Sequence, residues 1–140
     1  MKKFSPYISF NGDCKQALDF YVRVFKGEIK NISYYRDSPV EISDEDDDRV
    51  MHAVFQSEAV YFMAADTMPD SSVVVGDNIS LSLEFEHESE LERIYNLMAE
   101  DGIVIMPMQD TFWGSSFGML VDQFGLSWMF NWENPDEVVE

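Results

Sequence analysis

The sequence repeats itself, and that constrains its fold more than any other feature. From Phe10 to Gly27 the end of an apolar strand, a helical stripe and a glycine follow in order. Phe85 to Gly102 runs through the same succession at the same spacing, 75 positions later. The helical stripes, Cys14, Ala17, Leu18 and Tyr21 against Leu91, Ile94, Tyr95 and Met98, align at an offset of 77. Each half reads strand, helix, then three strands. A unit of that size buries too little apolar surface to close a core alone, so two such units should pair.

Local signals place the elements. Pro6-Tyr7-Ile8-Ser9-Phe10 is rich in strand formers and ends at the turn signal Asn11-Gly12. Apolar residues at helical spacing predict a helix from Cys14 to Phe25, with Asp13 as its cap, Gln16 completing a capping box, and Gly27 as a left-handed stop. Strands are expected over residues 28–35, 50–55 and 59–63, the last two joined by a hairpin turn at Ser57-Glu58. In the second half Leu81, Leu83 and Phe85 alternate with Ser80, Ser82 and Glu84, the signature of a half-buried strand. Ser89-Glu90-Leu91-Glu92 reads as a capping box, Gly102 ends the helix, and strands follow over 104–108, 117–121 and 126–131. The expected product is one α+β domain of cupped mixed sheets with helices outside. Its first module covers about residues 5–66, the connector 67–77, the second module about 78–132, and an acidic tail 133–140.

Charge narrows the partners. Nine Lys and Arg stand against 27 Asp and Glu, a formal net charge of −18, which repels phosphate backbones and anionic lipid. Neither nucleic acid nor a membrane is therefore an expected partner. Met1 to Phe10 has no signal-peptide core, and a single cysteine allows no intrachain disulfide, so a cytoplasmic home is expected. The run Ser43-Asp44-Glu45-Asp46-Asp47-Asp48 reads as a solvated loop. It mimics the first positions of a calcium loop, but Arg49 stands where glycine is needed and Phe55 where glutamate is needed.

The duplicated pattern resembles the vicinal oxygen chelate superfamily, which includes glyoxalase I, bleomycin-resistance proteins and extradiol dioxygenases. Several stretches are closer to its PhnB-like branch: Pro6 to Gly12, Ala17 to Tyr21, Met51-His52-Ala53, Asn78 to Phe85, Met106 to Gly114, Phe117 to Leu120 and Asp122 to Met129. Such sequences often carry a demethylubiquinone methyltransferase name, yet no glycine-rich nucleotide loop of the kind a methyl-donor fold uses is found in this one. The resemblance implies four metal-ligand positions, on the first and last strands of each module. Carried over by pattern they fall at Pro6 (Tyr7 if the register is shifted by one), Met63, Ser80 and Met129. None of Pro6, Met63, Ser80 and Met129 is a usual ligand for a hard divalent ion, so no cofactor is expected unless that register is wrong.

The remaining candidates follow from side-chain chemistry. His52, one of two histidines, is a weak candidate for a general base, weighed against a strand histidine satisfied by a hydrogen bond. Cys14 on the helical stripe reads as a core residue, and His87 as solvated. Aromatic side chains crowd the last quarter of the chain, where they suit an apolar ligand cup, a dimer interface or both. The expected cup residues are Tyr7, His52, Met63, Ser80, Ser82, Gln109, Trp113, Phe117, Trp128 and Met129, with Asp110 beside Gln109 as a second polar group. Gly125 is expected to serve the turn after Asp122 in a conformation costly for other residues.

Three functions compete on this basis. The first is a metal-free homodimeric module binding a small molecule that is partly apolar or cationic, the charge drawing cations over long range. The second is a metal-dependent enzyme of lyase, isomerase or dioxygenase type. The third is an interaction protein with no ligand.

Overall fold

The alternation and helical spacing are realised as two copies of one topology. The computed structural model describes residues 1–112 and 114–136. It divides into two compact units, Met1–Val74 and the stretch from Val75 onward. The first contains β1 (Tyr7–Phe10), α1 (Cys14–Phe25), β2 (Glu28–Tyr34), β3 (Val50–Gln56) and β4 (Tyr61–Asp66). The second contains β5 (Leu81–Phe85), α2 (Glu88–Glu100), β6 (Ile103–Asp110), β7 (Ser115–Val121) and β8 (Ser127–Glu133). Sheet orders are β1-β4-β3-β2 and β5-β8-β7-β6. In each, the first and last strands of the unit pair in parallel and the other neighbours antiparallel. The fold is therefore α+β, two tandem βαβββ modules.

Each helix covers one face of its own sheet. In the first unit Ala17, Leu18, Tyr21 and Val24 of α1 are buried with Phe10, Phe55, Phe62 and Ala64 of the strands. Tyr21 meets Phe62 edge-on with ring centroids 5.7 Å apart, and Phe55 stacks on Phe62 at 5.0 Å. In the second unit Leu91, Ile94 and Met98 of α2 are buried with Leu120, Trp128 and Phe130, and Tyr95 stands edge-on to Phe130 at 5.3 Å. The opposite face of each sheet carries no helix of its own unit. The acidic stretch after β2 is shaped by two short 3₁₀ turns, Tyr35–Asp37 and Asp44–Asp46, and Arg49 Nε donates to Asp46 Oδ1 at 2.9 Å.

Several local expectations need correction. Asp13 makes no side-chain cap at α1. The buried Asp66, at the end of β4, does that work: its Oδ1 accepts the backbone N–H groups of Gly12 (2.8 Å) and Cys14 (3.0 Å), while Oδ2 accepts that of Val50 (2.9 Å). One carboxylate thereby ties the start of the helix to β3 and β4, and a negative charge there complements the helix dipole. The left-handed residue ending α1 is Lys26 (φ 54°), not Gly27. Gly27 is required for close approach instead, since a Cβ would lie 2.6 Å from Phe55 Cζ and 2.8 Å from the Gln56 carbonyl oxygen. The capping box at Ser89 does not form, for α2 begins two residues earlier, with His87 at its N-cap and no side-chain cap bond. Gly125 does adopt the expected conformation, at φ 91°.

Candidate functional site

The bare face of each sheet is the candidate site, and the strand ladders determine which residues it presents. In the first unit Tyr7 lies opposite Met63, Met63 opposite Val54, and Val54 opposite Lys30. Cα partners project to the same side, so these four form a row across all the strands. Ser9 and Ala65, paired on β1 and β4, share that side, as do His52 and Ser33, paired on β3 and β2. The Tyr7 hydroxyl lies 3.2 Å from His52 Nδ1, and the two rings are 5.8 Å apart. Tyr7 is 51% exposed. Partial burial of its phenol, with Tyr35 and Cys14 adding to it, holds the group above its ordinary titration range, so it keeps its proton at neutral pH.

The second unit presents a different row. Ser82 lies opposite Met129, Met129 opposite Met119, and Met119 opposite Met106. The next row is Glu84, Asn131, Phe117 and Gln109. Three adjacent thioethers beside an aromatic ring give a soft, polarisable and adaptable surface, bordered by two amides and the Glu84 carboxylate.

The expected cup residues separate on this geometry. Tyr7, His52 and Met63 share the bare face of the first unit; Ser82, Met129, Phe117 and Gln109 share that of the second. Ser80 stands just before β5, outside the ladder. Trp113 lies outside the described residues. Trp128 does not face the cup: it is 1% exposed on the helix side, and its Nε1 donates to Asp122 Oδ2 at 2.8 Å. Consecutive strand residues point to opposite faces, so Trp128 and Met129 exclude each other from one side. Asp110 also leaves the cup. A register shift between Met106 and Gln109 turns Gln109 toward Phe117 and pairs Asp110 with Ser116, whose hydroxyl donates to Asp110 Oδ1 at 2.8 Å. There Asp110 lines a cleft of about 180 Å³ with Glu88, Thr111, Ser115, Trp132 and Asn134. Two residues that sequence reasoning passed over, Met106 and Met119, join the second unit's face; alternation from Phe117 along the same strand could have found Met119.

The same ladders locate the metal positions that the resemblance implies. Parallel pairing sets Tyr7, not Pro6, against Met63, and Ser82, not Ser80, against Met129. A phenol, a hydroxyl and two thioethers do not fit a hard divalent ion, which takes imidazole or carboxylate donors. Among the described residues no group of three or more His, Cys, Asp or Glu side chains is placed to hold a metal. Cys14 is fully buried, and burial, reinforced by Asp66 and Asp13, pushes its thiol far above the range in which a nucleophilic thiolate forms.

Architecture and comparison together define the class. The chain has the fold of the glyoxalase/bleomycin resistance protein/dioxygenase superfamily. A member from Burkholderia phytofirmans superimposes with a TM-score of 0.62 at 12% identity, over 93% of this chain and 97% of that one. Within that class the chain belongs to the family described as 3-demethylubiquinone-9 3-methyltransferase, the PhnB-like family, whose model matches residues 2–130. The Pseudomonas aeruginosa protein PA1353 is similar at 37% identity and TM-score 0.84, with 95% of this chain and 98% of that one covered. The PhnB protein from Bacillus cereus is similar at 27% identity and TM-score 0.75, covering 94% and 99%.

Proposed function

We propose that the protein is a metal-free, homodimeric, cytoplasmic small-molecule-binding member of the PhnB-like family, with the bare sheet faces as its binding surfaces. The observation that carries this reading is the donor set at the ladder pairs Tyr7/Met63 and Ser82/Met129, which suits apolar contact and single hydrogen bonds better than metal ligation. Thioether, aromatic and amide groups on one face match the composition of small-molecule sites: mostly apolar, with a few polar groups that fix orientation. The net charge of −18 adds a long-range preference for cationic over anionic ligands, acting over about a Debye length of ~8 Å at physiological salt. The proposal does not extend to the methyl transfer in the family's name. Nucleotide cofactors held in the Rossmann manner lie at the carboxyl ends of the strands of an open parallel sheet, whereas each sheet here has a single parallel pair.

A second reading is favoured by one observation. The hydrogen bond between Tyr7 and His52 gives a lyase or isomerase an oriented imidazole for proton transfer. Native mass spectrometry of untagged protein, purified without added metal or chelator, separates the readings. A dimer mass without stoichiometric metal, with or without a retained organic adduct, is expected. One divalent ion per subunit would overturn the metal-free reading and bring the enzyme forward.

A further inference from the structure

The bare face of the first unit carries an imidazole whose outward chemistry is set by its neighbour. Tyr7 Oη and His52 Nδ1 are at hydrogen-bonding distance, 3.2 Å. A neutral phenol is the stronger acid of the pair and a neutral imidazole nitrogen the stronger base, so the phenol donates and Nδ1 accepts. Neutral imidazole carries one proton, which must then sit on Nε2, the nitrogen on the far side of the ring from Nδ1. The bond to Tyr7 is the one hydrogen bond of the His52 side chain among the described residues. Around the pair, the ladder places apolar Met63, which is half-buried, and Val54 and Ala65, which are buried, on the same side.

We propose that Tyr7 locks His52 in its Nε2–H tautomer, so that this face selects small apolar molecules bearing a hydrogen-bond acceptor, of which a carbonyl is the plainest case. The inference rests on the small-molecule reading above and adds the ligand's chemical class. Tyr7 acts here as a positioning residue and His52 as the group that touches the ligand. Charge plays little part at contact. On this face Lys30 is paired with Glu28 at 3.3 Å, and Lys3 Nζ sits 3.0 Å from the centre of the Tyr61 ring, so neither cation is directed at His52.

Two measurements on the untagged full chain test the proposal. With only two histidines, the imidazole nitrogens can be assigned by long-range proton–nitrogen NMR at pH 8.5. His52 is expected in the Nε2–H form, while exposed His87 shows averaged tautomers and serves as an internal reference. In Tyr7→Phe the His52 signals should move to the averaged position while the amide spectrum stays dispersed. A wild-type His52 carrying its proton on Nδ1 overturns the proposal. The second measurement titrates a matched pair of probes, acetophenone and ethylbenzene, followed by chemical shifts. Acetophenone is expected to bind about fivefold tighter, roughly the worth of one neutral hydrogen bond, and to move the His52 Nε2 resonance. Tyr7→Phe should lower that preference to about threefold, the value an even mixture of the two tautomers gives. Equal binding of the two probes overturns the acceptor selectivity and leaves small-molecule binding standing. Failure of both probes to bind at millimolar concentration overturns small-molecule binding at this face as well.

Discussion

Replacing Asp66 by alanine is expected to cost about 4 kcal/mol of stability, an unusually large loss for one polar residue. The figure comes from counting what the carboxylate holds. It accepts three backbone N–H groups, of which the bonds from Cys14 and Val50 are buried and that from Gly12 is partly buried. Each buried amide left without a partner costs about 1–3 kcal/mol, and the Gly12 amide less because water can replace its acceptor. Asp66→Asn should be milder, at about 2 kcal/mol, because the amide keeps one acceptor oxygen and turns a donor toward one of the N–H groups. The two variants also separate bonding from charge. Burial holds the Asp66 carboxyl above its ordinary range, with the three N–H bonds and Arg49 offsetting only part of that cost. Between the ordinary and the raised value the folded state binds more protons than the unfolded one, so this group's contribution to stability declines as pH rises through that window. The stability advantage of wild type over Asp66→Asn should therefore be largest on the acid side and shrink as pH increases. Urea denaturation followed by circular dichroism across that range measures both effects. A cost below about 1 kcal/mol for Asp66→Ala, with an unchanged denaturant slope, would refute the role assigned to this carboxylate.

The end of α1 offers a paired test: Lys26→Gly should stabilise by about 1 kcal/mol by removing a side chain from a left-handed residue, whereas Gly27→Ala should destabilise by about 1–3 kcal/mol through its clash with Phe55 and the Gln56 carbonyl, both read from urea midpoints. If Gly27 were instead the left-handed stop, Lys26→Gly would destabilise by about 1 kcal/mol, as glycine does at an ordinary helical position. Cys14 should resist a thiol-specific chromogenic reagent in the native protein at pH 8 and react once per chain in denaturant, since burial keeps its thiol protonated; rapid native labelling would contradict that placement.

What the sequence determined by itself is what periodicity encodes. Strand alternation, the stripe Cys14-Ala17-Leu18-Tyr21 and its counterpart Leu91-Ile94-Tyr95-Met98 identify the elements, and their recurrence identifies the duplicated α+β module. Each of these signals is local, because an element must present one apolar side whatever it packs against. Tertiary structure decided what alternation leaves open. A shift of two residues keeps the same face, so only the ladder distinguishes Ser82 from Ser80 as the partner of Met129. A shift of one reverses the face, and the irregularity between Met106 and Gln109 made that exchange, turning Gln109 toward Phe117 and Asp110 away. Trp128 and Met129 are neighbours in sequence yet lie on opposite faces, and composition alone does not separate a core indole from the cup. The acceptor at the start of α1 was beyond any local signal. Asp66 lies 52 residues from Cys14, and only the folding of β4 beside β1 and beneath the helix brings that carboxylate to the amides it serves.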